Sequence, residues 1–118
     1  MSFTWTYPGT FDSAIDGDTV VAHVQLGPGL DLHGEHIRVA GVNTPELNSP
    51  DPAVRARAQE AKTFTMEFFT TGDEAITIHA HGHDKYGRLL ARVTRDSDGA
   101  DLTDALLAAG LGVPMKEA

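Results

Sequence analysis

Two carboxylates lie two residues apart in the segment 16–19, whose sequence is DGDT. An Asp-Gly pair is typical of an ordinary hairpin turn, so the segment has a purely structural explanation. The chemical alternative is a cation site, because carboxylate oxygens are ligands that calcium and magnesium prefer. In that hypothesis Asp18 binds the ion directly, and Asp16 supports it from the surrounding shell.

A second polar segment, NTPE at 43–46, follows a predicted strand. Pro45 ends that strand because proline lacks a backbone donor and keeps the preceding residue extended. The segment is either an ordinary turn or a further source of oxygen ligands, namely Asn43 and the main-chain carbonyl of Thr44. In the second case Glu46 would position or deprotonate a water molecule.

Two arginines are candidates for binding an anion. Arg88 ends the segment DKYGR at 84–88, and its forked guanidinium matches the geometry of phosphate oxygens. In the same segment Tyr86 offers a flat face to a base or sugar, and Lys85 adds a positive charge. Arg38 lies on a predicted strand. Each arginine is an ordinary surface residue unless a carboxylate and a metal ion lie opposite it.

Histidines 79, 81 and 83 alternate along the end of another predicted strand. Neighbouring members would be about 7 Å apart, which suits a pair of zinc ligands, whereas the outer two would be roughly 13 Å apart and cannot share one ion. The pattern is otherwise typical of exposed strand residues.

Hydrophobic periodicity predicts the elements that position these residues. We expect strands over 3–7, 10–15, 20–26, 37–42, 75–80 and 89–94, a loop over 27–36, and helices over about 51–71 and 101–110. The loop is predicted from its glycine and proline content. The fold class is therefore α+β, and a small antiparallel barrel is the natural way to close the edges of the sheet.

Composition narrows the classes of protein. A chain of 118 residues predicts a single domain over 1–118, and the absence of cysteine excludes disulfides and thiolate zinc sites. The net charge of −8 argues against a broad basic face for nucleic acid, so an anionic partner must be held locally. Without a signal peptide or transmembrane segment in this sequence, we expect a cytoplasmic protein that does not bind membranes.

The order of four segments is more specific than any one of them. DGDT, RVAGVNTPE, DKYGR and DLTDALLAAGL resemble the staphylococcal nuclease (thermonuclease-like) family from about Phe11 to Gly112. The resemblance implies a five-stranded OB-type antiparallel β-barrel with one long and one short packed helix. It also implies calcium-dependent hydrolysis of phosphodiester bonds in DNA or RNA that is single-stranded or locally open.

The resemblance further implies roles for single residues. Asp18 resembles the family's metal carboxylate, with Asp16 as its neighbouring acid, and Thr44 resembles the residue that gives a main-chain carbonyl to the ion. Glu46 resembles the acid that orients the attacking water, and Arg38 and Arg88 resemble the two arginines that hold the phosphate. Lys85 and Tyr86 match positions near the nucleotide. Asn43 stands where the family pattern has Asp. This difference predicts weaker calcium binding, because calcium affinity depends on ligand charge.

The family's C-terminal helix is expected to be absent, because the sequence stops shortly after Gly112. We therefore expect weaker, more salt-sensitive substrate binding. We expect the protein to be a monomer, or to have a partner that supplies the missing segment. Two alternatives to a nuclease remain. One is a catalytically weak or inactive OB-type module that binds nucleic acid or protein, and the other is a histidine-rich zinc domain.

Overall fold

A computed structural model describes residues 5–70 and 74–115. Predictions for residues 3, 4 and 71 lie outside these ranges, and so does the expected absence of a C-terminal helix. The elements in chain order are β1 (Trp5–Asp16), β2 (Thr19–Gly27), β3 (Leu30–Val39), β4 (Val42–Asn43), α1 (Pro52–Thr70), β5 (Ala75–His83), β6 (Leu89–Arg95), α2 (Leu102–Ala108) and β7 (Val113–Pro114).

The five longer strands form a closed barrel in the order β1-β2-β3-β6-β5. Neighbouring strands are antiparallel except β3 and β6, which run parallel, with Ile37 opposite Leu89 and Arg38 opposite Leu90. The predicted five-stranded barrel in an α+β fold is therefore confirmed, with a mixed rather than wholly antiparallel sheet. The parallel pair can form because β4, α1 and β5 lie between these strands in the sequence and supply the long crossover that such a pair needs.

Alternate residues of the strands fill the barrel. Val20, Ala22 and Val24 of β2 are fully buried, as are Ile37 and Val39 of β3. Burying each valine or isoleucine side chain stabilises the fold by about 1.5–3 kcal/mol relative to leaving it in water. The intervening residues point out of the barrel, so chemistry-bearing side chains can occupy its outer surface and its ends.

The predicted loop over 27–36 is wrong for most of its length. β2 and β3 form a tight hairpin in which Gly27 pairs with Leu30, and only Pro28 and Gly29 make the turn. Gly29 has φ +71° and Gly34 has φ +65°, conformations that glycine adopts without steric cost. The glycines therefore mark a turn and an irregularity within a strand rather than an extended loop.

The predicted strand over 37–42 is divided in two. β3 ends at Val39, and the chain turns at Gly41, whose φ is +87°. The next two residues form β4, which pairs with β7 through Val42 opposite Pro114. This break moves the segment after Gly41 away from the barrel wall, because its backbone partners lie in β7 instead of β6.

Helix α1 packs one stripe of residues against the barrel, as its spacing predicts. Ala58, Ala61, Thr65, Phe68 and Phe69 are buried, and the ring of Phe69 stacks on Phe11 of β1 at 4.8 Å between centroids. The helix begins after Asp51, whose side chain accepts a hydrogen bond of 2.9 Å from the Ala53 amide. The structure thus confirms the predicted long helix.

The short helix α2 is also confirmed. Asp101 caps its first turn by accepting a hydrogen bond from the Asp104 amide at 3.1 Å. From inside the helix, the Thr103 hydroxyl donates to the Ala40 carbonyl at 2.6 Å, which fixes α2 against the end of β3. Among residues 5–70 and 74–115, neither helix combines the length and the apolar character that crossing a membrane would require.

Gly17, in the turn between β1 and β2, is buried against the side chains of Ala61 and Thr44. A Cβ atom at this position would lie 2.7 Å from the Ala61 Cβ and 2.8 Å from the Thr44 Cγ2. The Gly17 carbonyl accepts a hydrogen bond of 2.8 Å from the Thr65 hydroxyl of α1. The turn, the helix and the segment after β4 therefore meet where only a glycine fits.

We expect Gly17→Ala to lower the free energy of unfolding by about 1–3 kcal/mol, the usual cost of overpacking. The measurement is urea denaturation followed by circular dichroism. Gly27→Ala is the matched control, because a Cβ at Gly27 has nothing within 4 Å. Equal stability of the two variants would contradict the packing argument.

Candidate functional site

One open cavity of about 880 Å³ lies at the end of the barrel where the β1–β2 turn, the end of β3 and the β5–β6 loop meet. Its walls include the nine residues that the sequence predicts for a nuclease site: Asp16, Asp18, Arg38, Asn43, Thr44, Glu46, Lys85, Tyr86 and Arg88. Strand register explains the convergence. Thr19 pairs with Arg38 across β2 and β3, and Arg38 pairs with Leu90 across β3 and β6.

The guanidinium of Arg38 is the most highly connected group in the cavity wall. Its Nη1 donates to the carbonyls of Val39 and Val42 at 2.8 and 2.9 Å, and its Nη2 donates to the Asn43 Oδ1. The same Nη2 lies 3.4 Å from the Asp18 Oδ2. Arg38 is only 9% exposed, so these contacts hold its charged group in one position.

Asp18 connects the β1–β2 turn to the segment that follows β4. Its Oδ2 accepts a hydrogen bond of 2.9 Å from the Thr44 amide, and its Oδ1 is 3.4 Å from the Thr19 hydroxyl. Each carboxylate oxygen has two lone pairs, so these contacts leave acceptor capacity for a further ligand. Asp18 is therefore a fixed carboxylate at the base of the cavity.

Asp16 lies beside Asp18 and shares its surroundings. The Asp16 Oδ1 accepts a hydrogen bond of 3.2 Å from the Asp18 amide. Burial, together with the hydrogen bond and charge of the Asp18 side chain, raises the pKa of Asp16 to about 6. Two neighbouring carboxylates of this kind repel each other unless a proton or a cation lies between them.

Arg88 is positioned by Asp84, a residue to which the sequence assigned no role. The Arg88 Nε donates to the Asp84 Oδ2 at 2.7 Å, and its Nη1 lies 3.3 Å from the Thr19 hydroxyl. Burial alone would raise the pKa of Asp84, but hydrogen bonds from Arg88 and the Tyr86 amide hold it below its usual value. The sequence could have indicated this ion pair, because Asp84 precedes Arg88 by four residues.

The outer rim of the cavity is more exposed to solvent than its base. Tyr86 is 73% exposed, and its ring lies 5.2 Å from the Lys85 Nζ and 5.5 Å from the Arg88 Cζ. Glu46 is also exposed and faces the cavity from the segment after β4. The rim thus offers an aromatic face, an ammonium group and a solvent-accessible carboxylate.

The donors at the base of the cavity fit a hard divalent cation. They are oxygens from Asp16, Asp18, Asn43 and Thr44, which is the ligand chemistry that calcium and magnesium prefer. Within the described part of the chain, the Thr44 hydroxyl is buried without a hydrogen-bond partner. An unsatisfied group of this kind costs about 1–3 kcal/mol, so a ligand that satisfied it would be stabilised.

The alternating histidines belong to no group of three metal-ligating side chains within the described residues. His81 and His83 are exposed, and the His79 Nε2 lies 3.2 Å from the Thr94 hydroxyl. Within residues 5–70 and 74–115, the grouping of three metal-ligating side chains lies elsewhere, on the hairpin of β2 and β3.

We expect Asp16→Asn to raise the free energy of unfolding at neutral pH by about 1–2 kcal/mol, measured by urea denaturation with chelator present. The folded state raises the pKa of Asp16, so it binds a proton more readily than the unfolded chain does. The native protein should therefore lose stability as the pH rises through the interval from about 4 to 6.

The same substitution should have little effect near pH 4, where the Asp16 carboxyl of the folded protein is protonated. Asp12→Asn is the control, because Asp12 is an exposed carboxylate on the same strand. A gain of equal size at both pH values would contradict the charge argument.

The arrangement agrees with the relationships of the sequence. Residues 36–117 match the family described as Staphylococcal nuclease homologue. The chain is 34% identical over 79 residues to the thermonuclease of Staphylococcus intermedius, an alignment that covers 67% of this chain and 44% of the relative. It is 33% identical over 103 residues to the endonuclease YncB of Bacillus subtilis (strain 168), covering 86% of this chain and 45% of that protein.

A third relative is the SPbeta prophage-derived endonuclease YokF of the same Bacillus strain. It is 32% identical over 103 residues, which are 86% of this chain and 32% of the relative. The chain thus spans less than half the length of each of these three relatives. Because the family match extends over more than half of its residues, this chain belongs to the Staphylococcal nuclease homologue family.

Proposed function

We propose that this protein is a calcium-dependent nuclease that hydrolyses phosphodiester bonds of DNA or RNA. The observation that carries the proposal is the convergence of acidic, amide and guanidinium groups on one cavity. These are the groups that a hydrolytic phosphodiester site needs: oxygen ligands for a cation, donors for phosphate oxygens and a base for water. The thermonuclease and endonuclease names of the relatives agree with this chemistry.

The charge of the cavity supports a requirement for a cation. The three acids of the site, Asp16, Asp18 and Glu46, carry three negative charges. The two arginines, Arg38 and Arg88, carry two positive charges. The net charge is therefore −1, and without a cation the site would repel a phosphodiester. One divalent ion reverses that sign. The overall charge of −8 is thus compatible with a polyanionic substrate, because the attraction is confined to one pocket.

Asp18 and the Thr44 carbonyl would hold the calcium ion, with Asp16 beside them and the Asn43 amide oxygen as a neutral ligand. When bound, the ion would supply positive charge to the phosphate oxygens and acidify a neighbouring water. The chain itself keeps Asp18 in place through the Thr44 amide, and the oxygens are arranged before any ligand arrives. Little reorganisation is then needed on binding.

The two arginines would act differently on the phosphate. Arg38 is fixed by buried acceptors and would provide a rigid positive charge. Arg88 uses its Nε for Asp84 and its Nη1 for Thr19, and among the described residues its Nη2 has no hydrogen-bond partner. That nitrogen can donate to an equatorial phosphate oxygen, whose charge grows as the nucleophile attacks.

Glu46 would accept the proton of the attacking water. It faces the cavity and remains exposed, so water reaches it freely. Tyr86 and Lys85 at the rim would contact the nucleotide, the tyrosine by stacking on a base and the lysine by its charge. Stacking requires an unpaired base, so the proposed substrate is single-stranded or locally open nucleic acid.

We expect purified protein to cleave denatured DNA with calcium and not with chelator. Glu46→Gln should lower kcat by about 10²–10⁴-fold, the usual contribution of a general base. Glu67→Gln is the control, because Glu67 is an exposed glutamate on α1 outside the cavity. Cleavage that persists in chelator, or that is unchanged in the Glu46 variant, would contradict the proposal.

A second candidate is a catalytically weak or inactive OB-type module that binds nucleic acid or protein. The observation that favours it is the contact of the Asn43 Oδ1 with the Arg38 Nη2, which uses an oxygen that calcium would otherwise take. Asn43 also supplies no formal charge to the ion. In this alternative the pocket binds an oligonucleotide and does not cleave it.

Asn43→Asp distinguishes the two functions. A carboxylate would add ligand charge, so we expect calcium to bind about tenfold more tightly, measured by isothermal titration. Nuclease activity is the native function only if the unsubstituted protein already cleaves nucleic acid. Asn48→Asp is the control, because Asn48 lines the same cavity and is exposed. Equal gains in the two variants would indicate a general charge effect instead of direct ligation.

A further inference from the structure

The outer face of the β2–β3 hairpin carries a group of three metal-ligating side chains, His23, Asp31 and His33. One ligand atom from each lies within 4.8 Å of the others. The His23 Nε2 is 3.4 Å from the Asp31 Oδ2, and the rings of His23 and His33 meet edge to face with centroids 4.2 Å apart. None of the three lines the cavity described above.

An irregularity in strand pairing brings these residues together. Val24 pairs with Leu32 and Ala22 pairs with Glu35, so the single residue His23 lies opposite the two residues 33 and 34. Gly34 accommodates the extra residue at φ +65°. Such bulges redirect a side chain relative to the regular alternation of a strand. Here the bulge lies where His33 packs beside His23. Asp31 pairs with Gln25, two residues after His23, and therefore lies on the same face of the hairpin.

We propose that His23, Asp31 and His33 bind a divalent transition-metal ion of the zinc type. Two imidazole nitrogens and one carboxylate oxygen form a three-ligand set that suits zinc, copper or nickel, and water would complete the coordination. Calcium prefers an all-oxygen site and should not compete.

The existing distances require little adjustment. Ligand atoms around a tetrahedral zinc ion lie about 3.4 Å apart, given bonds of about 2.0–2.1 Å. His23 and Asp31 already meet that separation. His33 is exposed, so its ring can rotate the remaining distance without disturbing the core. The ion would link β2 to β3 across their connecting turn.

This metal site is separate from the proposed nuclease site. Thr19 stands opposite Arg38 at the cavity, and His23 lies four residues further along β2, a distance of about 13 Å. Zinc binding at the hairpin therefore does not require calcium at the cavity. A nuclease-deficient Glu46→Gln protein should bind zinc as the native chain does.

The test uses the untagged full chain with calcium present, titrated with zinc chloride by isothermal calorimetry. We expect one zinc ion per chain and a higher thermal midpoint with zinc. His33→Ala and Asp31→Asn should each weaken binding by at least about tenfold and remove the thermal shift. Both positions are exposed, and circular dichroism establishes that the variants are folded.

His81→Ala is the control, because His81 is an exposed histidine on β5 outside the group. Zinc binding that survives in His81→Ala and is lost in His33→Ala supports the site. The proposal is overturned if neither zinc, copper nor nickel binds up to millimolar concentration, or if His33→Ala binds zinc as well as the native chain. It is also overturned if calcium displaces the zinc.

Discussion

The buried guanidinium of Arg38 controls the geometry of one end of the barrel. A charge removed from water must find acceptors, and a missing partner would cost several kcal/mol. Arg38 finds them in the carbonyls of Val39 and Val42, in Asn43 and in the carboxylate of Asp18. The chain after β3 therefore wraps around the side chain instead of continuing along the barrel wall. The break in the strand and the position of the polar segment both follow from this.

The interactions that stabilise this end of the barrel also prepare it for chemistry. Asp18 contacts Arg38 and accepts from the Thr44 amide, so the acidic turn is held against the segment that carries Glu46. Some contacts in the same place oppose stability. Asp16 has a pKa near 6 because it is buried beside another carboxylate, and the Thr44 hydroxyl is unsatisfied within the described residues. Costs of this kind are common at functional sites and are offset by the core.

The hairpin of β2 and β3 connects two chemically different regions. One end presents Thr19 and Arg38 to the cavity, and the other presents His23 and His33 to solvent. The first region is rich in oxygen acceptors and guanidinium groups, whereas the second combines imidazole with a single carboxylate. The inner residues between the two regions, such as Val20, Val24 and Ile37, are fully buried, so the barrel core separates the cavity from the histidines of the hairpin.

Local patterns in the sequence determined much of this protein. The spacing of apolar residues predicted both helices and the strands β5 and β6, because each pattern is set by residues close together in the chain. The ordered motifs predicted the members of the cavity. The glycine-rich stretch 27–36 was misjudged, because a turn glycine and a bulge glycine have the same composition as a loop.

Tertiary structure alone decided the parallel pairing of β3 with β6, the contact between Arg38 and Asn43, and the meeting of His23 with His33. Each depends on which residues become neighbours across strands or through a turn. Register is a property of the whole sheet, since one bulge or one parallel pair changes every contact that follows it. The sequence by itself identifies the chemical groups of the candidate site, and the packed barrel determines the distances between them.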